Sequence, residues 1–102
     1  MNIDEWAAEQ CGVIVRFQNS PWQFKHNNNI HDYKWTIQDP RCRDIVREHF
    51  KIWTYYGSNR TDKMRWISTS AYNNMDYIYG KTIAEAEIGC IEAIYEASKN
   101  GC

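Results

Sequence analysis

Hydrophobic positions change period along the chain, from helical spacing at both ends and at one central stretch to alternation in between. Ile3, Trp6, Ala7 and Cys11 recur at helical spacing, with Asn2 or Asp4 able to cap the start and Gly12 suited to the stop. Val13-Ile14-Val15-Arg16-Phe17 is β-branched and predicts a strand. Asn19-Ser20-Pro21 turns it, and Trp22-Gln23-Phe24 alternates as a second strand. His26 to Asp32 is a polar tract that reads as an exposed loop or a wide hairpin end, after which Tyr33 to Ile37 alternates again as a returning strand.

Asp39 followed by Pro40 is a helix start: a good N-cap, then a residue whose missing N–H costs nothing at the first helical position. Cys42, Ile45, Val46, His49 and Phe50 form its buried stripe, which leaves Arg41, Arg43, Asp44, Arg47 and Glu48 for water. Lys51 to Tyr56 and Met64 to Thr69 read as a strand pair around a turn at Gly57–Asp62. Tyr72 to Tyr79 fits either a loop or a last edge strand. Thr82, three residues before Glu85, opens a capping box for a final helix with Ile83, Ala86, Cys90, Ile91, Ile94 and Tyr95 on one side. Gly89 inside that helix implies a close crossing over a bulky neighbour, expected to be a sheet tryptophan. The expected fold is α+β: one antiparallel sheet of about four to five strands packed by three helices, a short N-terminal one, one over 40–50 and one over 82–98. No linker or repeat divides residues 1–102, which are expected to form a single domain.

Charge adds a polarity to this layout. Residues 1–15 carry −3, residues 16–81 carry +5 and residues 82–102 carry −3, which bears on partner choice and encounter rate rather than on fold. The acidic N-terminus lacks the basic start and apolar run of a signal peptide, and no stretch approaches the roughly 18 apolar residues of a membrane span. The expected location is the cytoplasm, with Cys11, Cys42 and Cys90 as reduced core thiols and Cys102 exposed.

Candidate chemistry is thin. His26 and His31 flank the Asn tract without further ligands, the cysteines are unpaired in sequence, and Gly80-Lys81-Thr82 lacks the rest of a phosphate loop. No metal, cofactor or catalytic residue is expected, and an unrecognised small enzyme is the third-ranked possibility. Basic and aromatic residues interleave at Arg16-Phe17, Phe24-Lys25, Tyr33-Lys34-Trp35, Lys51-Ile52-Trp53 and Met64-Arg65-Trp66, a pattern suited to single-stranded nucleic acid. Alternation along any half-buried strand produces the same pattern, and acidic ends repel a polyanion. Residues 39–96 follow the element order of a double-stranded-RNA-binding domain. The final helix of such domains opens with lysines, however, where this chain has Ile83, Ala84, Glu85 and Glu87.

The opening Ile3-Asp4-Glu5-Trp6, the Trp-rich middle and the closing Lys81-Thr82-Ile83-Ala84-Glu85-Ala86 helix resemble small accessory proteins of bacteriophages, some grouped as α-β-α sandwich proteins. That resemblance implies a non-catalytic inhibitor, anti-CRISPR-like, which binds a host defence or nucleic-acid-processing protein and blocks its nucleic-acid site or its assembly. Glu85, Glu92 and Glu96 fall near one face of the last helix, where they would oppose a basic groove, and Asp4, Glu5 and Glu9 would extend that surface. Trp22, Trp35, Trp53, Tyr55, Trp66 and Tyr72 are the candidate anchors, because interface hot spots are rich in Trp and Tyr, although some must belong to the core.

Overall fold

The computed structural model describes residues 2–57 and 65–100. Most of the turn expected over Gly57–Asp62 lies outside the described residues, as do Met64 and Cys102. The elements run α1 (Ile3–Cys11), β1 (Ile14–Val15), a 3₁₀ turn at Phe17–Asn19, β2 (Phe24–His26), β3 (Asn29–His31) and α2 (Pro40–His49). They continue with β4 (Trp53–Tyr56), β5 (Trp66–Thr69), a 3₁₀ turn at Ala71–Asn73, β6 (Ile78–Gly80) and α3 (Ile83–Asn100). The three helices stand where the sequence places them. The Asn2 side chain accepts the Glu5 amide at 2.8 Å, Asp39 accepts the Arg41 amide at 2.9 Å, and Thr82 accepts the Glu85 amide at 3.1 Å. Gly12 ends α1 at φ 70°.

The expected single sheet is instead two separate three-stranded antiparallel sheets, β1-β2-β3 and β4-β5-β6. Two local causes shorten the first. Arg16, Gln18 and Asn19 all adopt positive φ, which breaks the strand expected over Val13–Phe17 after two residues. The strand expected at Tyr33–Ile37 does not form, because this segment drops against α1. Trp35 Nε1 donates to the Asp4 carbonyl at 2.7 Å and the Ile37 amide donates to the Asp4 carboxylate at 2.8 Å, so a helix N-terminus supplies partners that a sheet would otherwise provide. The polar tract after Phe24 is a tight hairpin, with Asn27 and Asn28 at φ 50° and 68° between the paired residues His26 and Asn29.

One hydrophobic cluster joins the helices: Trp6 and Ala7 of α1, Val46 of α2 and Ile91 of α3, with Phe24, Trp35 and Phe50. Trp6 stacks on Phe50 at 5.4 Å between centroids, and the edge of Tyr72 meets Phe50 at 5.2 Å. The second sheet lies on α3 through its Thr54–Ser68–Ile78 rung. Gly89 crosses Ile78 rather than a tryptophan; a β-carbon there would sit 2.8 Å from Ile78 Cγ2. Gly80 is tighter still, since its β-carbon would lie 2.5 Å from the Ala86 backbone nitrogen.

Arg43, expected in water, is buried. Its Nε meets Glu87 Oε1 at 3.2 Å, and its Nη1 donates to the carbonyls of Ile37 and Gln38. Among the described residues no helix is long and apolar enough to cross a membrane.

Candidate interaction surface

Alternation within the second sheet decides which aromatics share a surface. Thr54, Ser68 and Ile78 face α3, so the intervening pairs Trp53–Thr69 and Tyr55–Ile67–Tyr79 face the other way. Trp53 is 54% exposed and Tyr55 39% exposed, while Ile67 between Tyr55 and Tyr79 is buried. Thr69, opposite Trp53, is also buried, and its hydroxyl makes no hydrogen bond among the described residues. Buried Ile67 and Thr69 thus form the floor of a face whose upper side is aromatic. Tyr77, one residue before β6, is exposed as well. Of the anchors expected from sequence, only Trp53 and Tyr55 meet on this face.

The other four are dispersed. Trp35 is part of the core, its indole N–H spent on Asp4. Trp66 sits on the α3 side of the sheet with its ring edge against Tyr56 at 5.3 Å. Tyr72 caps Phe50 over the core. Trp22, 66% exposed, borders a cleft of about 430 Å³ beside the first sheet with Arg16, Lys34, Asp4 and Glu5.

Glu85, Glu92 and Glu96 are all exposed and, at about 100° per residue, lie on the same side of α3 as Gly89. Because Gly89 packs on Ile78, this acidic row borders the seam between α3 and β6. Glu96 is paired with Lys99 at 3.7 Å. The expected acidic continuation on α1 is reduced: Asp4 is turned inward onto Thr36 and Ile37, which leaves Glu5 and Glu9 outside.

A separate cavity of about 280 Å³ brings Cys11, His26, Glu48 and His49 together, an arrangement the sequence did not reveal. Burial pushes the Cys11 thiol up to about 11, opposite to the shift that activates a nucleophile. Burial, and then the neighbouring His31, push His26 below its usual value against a smaller upward pull from Glu48. Cys90 is likewise pushed up to about 11, mainly by burial. No group of three His, Cys, Asp or Glu among the described residues is placed to hold a metal ion.

No family model, curated protein or solved structure matches the chain. The surface itself therefore carries the functional argument.

Tyr79 and Ile67 are the members of the aromatic face that sequence reasoning missed. Residues 72–79 fit a loop as well as a strand, and the signal, the alternation of Tyr77 and Tyr79 about Ile78, acquires meaning only when β6 pairs with β5.

Proposed function

We propose that the chain is a non-catalytic binding protein that docks on another protein through the aromatic face of its second sheet. In the phage context implied by the sequence resemblance, it would be an inhibitor of a host defence or nucleic-acid-processing protein. The observation that carries this reading is the solvent-facing pair Trp53 and Tyr55, set with Tyr79 around buried Ile67. Rigid aromatics on strands give large contact area at small entropic cost and form the anchors of protein interfaces. The acidic row Glu85–Glu92–Glu96 stands along the α3–β6 seam, where it would steer a basic partner and set the salt dependence of the encounter.

The test is retention of bacterial proteins on the immobilised chain, with Trp53→Ala/Tyr55→Ala and Glu85→Lys/Glu92→Lys/Glu96→Lys as comparisons. At about 2 kcal/mol per anchor, the aromatic double variant binds about a thousandfold more weakly. The charge reversal slows association and inverts its salt dependence, because added salt then screens a repulsion instead of an attraction. A partner held equally by the parent and the aromatic variant refutes the proposed face. Salt-sensitive retention of single-stranded nucleic acid in place of a protein transfers the function to the interleaved basic and aromatic residues.

A further inference from the structure

Among the described residues, the second sheet ends in an edge strand, β4, whose own sequence carries no device against pairing. β4 is Trp53-Thr54-Tyr55-Tyr56, bonded on one side to β5; it carries no charge, proline or bulge. Three of its four residues are exposed. Charged residues, prolines and bulges are how proteins normally prevent such an edge from recruiting another strand.

The hydrogen-bond phase specifies what fits there. The Gly57 amide donates to the Arg65 carbonyl at 2.7 Å, so Gly57–Arg65 is a hydrogen-bonded pair. Such pairs alternate, and Trp53 and Tyr55 therefore direct their backbone groups to β5, while Thr54 and Tyr56 direct their N–H and C=O groups away from the sheet. The free edge stops at Ile52, whose amide is already taken by the Arg47 carbonyl at 2.9 Å.

We infer that β4 pairs antiparallel with β4 of a second copy of this chain, with Thr54 of each copy opposite Tyr56 of the other. This is the self-pairing that uses both outward-facing residues, and it forms four backbone hydrogen bonds. The alternative centred on Thr54 would set Tyr56 against Ile52, whose donor is occupied. Tyr55 then faces Tyr55 of the second copy on the two-fold axis, as a non-hydrogen-bonded pair with Cα atoms about 4.5 Å apart. Trp53 faces Gly57 of the second copy, an aromatic-on-glycine pairing that sheets use to cover an edge glycine. Gly57 must remain glycine for an internal reason, since a β-carbon there would sit 2.8 Å from Ile67 Cδ1. No charge opposes a like charge over residues 53–57, so the contact is self-complementary, as an isologous interface requires. The product is a continuous six-stranded sheet whose aromatic faces adjoin, with a pairing that does not depend on the proposed protein partner.

Sedimentation equilibrium up to millimolar protein tests it. The parent is expected to approach twice the 12.2 kDa chain mass. Tyr55→Lys and Tyr55→Glu are each expected to remain at chain mass, because like charges meet at the axis, and a one-to-one mixture of the two is expected to return to the doubled mass. A parent that remains at chain mass overturns the inference and leaves the edge to a strand from another protein. A dimer that survives both single variants, or one that the mixture does not restore, overturns it too. Amide exchange on the parent needs no variant: protection that grows with concentration at Thr54 and Tyr56 supports the pairing, and its absence there refutes it.

Discussion

Replacing Glu87 with alanine removes the carboxylate paired with a buried guanidinium, that of Arg43. The two side chains are 7% and 9% exposed, with Arg43 Nε 3.2 Å from Glu87 Oε1. Arg43 Nη1 also holds the carbonyls of Ile37 and Gln38 at 3.1 and 3.2 Å, and Glu87 Oε2 lies 3.8 Å from Arg47 Nε and 3.4 Å from Thr54 Oγ1. Removing one member of such a pair leaves an uncompensated buried charge and costs about 3–5 kcal/mol. Glu87→Ala is therefore expected to lower the melting temperature by more than about 12 °C, given about 4–8 °C per kcal/mol in a domain of this size. Arg43→Met is expected to cost a similar amount, since two carbonyls lose their donor while Arg47 still attends the carboxylate. Arg43→Met/Glu87→Leu removes both charges and leaves mainly the carbonyl cost, about 1–3 kcal/mol. The double variant is thus expected to be more stable than either single, a large departure from additivity. Urea unfolding followed by tryptophan fluorescence supplies all three values. Additive losses, or a Glu87→Ala cost below about 1 kcal/mol, would show that the pair is not the electrostatic closure between α2 and α3.

Phe50→Ala, which removes a buried ring stacked on Trp6, is expected to cost about 3–5 kcal/mol, and half-buried Ile45→Ala distinctly less; equal losses would contradict the assigned face of α2. Gly80→Ala is expected to exceed the usual overpacking cost of about 1–3 kcal/mol and to exceed Gly89→Ala, because the first meets the Ala86 backbone and the second an isoleucine methyl; chemical denaturation of both ranks them. Thr69→Val keeps the shape and removes an unpaired buried hydroxyl, so a gain of about 1 kcal/mol is expected, and a loss would reveal a missed partner. Cys11 and Cys90 have folded values raised to about 11 from an ordinary 9.0, so the stability tied to their neutral thiols is complete below pH 9 and is lost as the pH rises through about 11. Thermal melts of the parent and of Cys11→Ser/Cys90→Ala across that window check this, the variant showing the shallower decline.

The three helices are legible in the chain because their information is local. Asn2, Asp39-Pro40 and Thr82 cap adjacent amides, Gly12 supplies positive φ, and the apolar stripes repeat within a few residues of one another. The α+β class follows from those helices and from the β-rich stretches between them. Sheet membership was not legible in the same way. Tyr33–Ile37 alternates as a strand does, yet its backbone and indole donors are taken by Asp4, some thirty residues earlier in the chain. Arg43 has the position of a solvated residue on its own helix and becomes buried because Glu87 approaches from another. The candidate face divides along the same line. The abundance of aromatics is a property of composition, but which of them share a surface depends on tertiary pairing: register puts Trp53 and Tyr55 on one face of the second sheet and Trp66 on the other, and contact with α1 takes Trp35 into the core. Caps and helical stripes are interactions over three or four residues, so sequence alone determines them; strand pairing, ion-pair burial and the aromatic face join distant residues, so tertiary structure decides them.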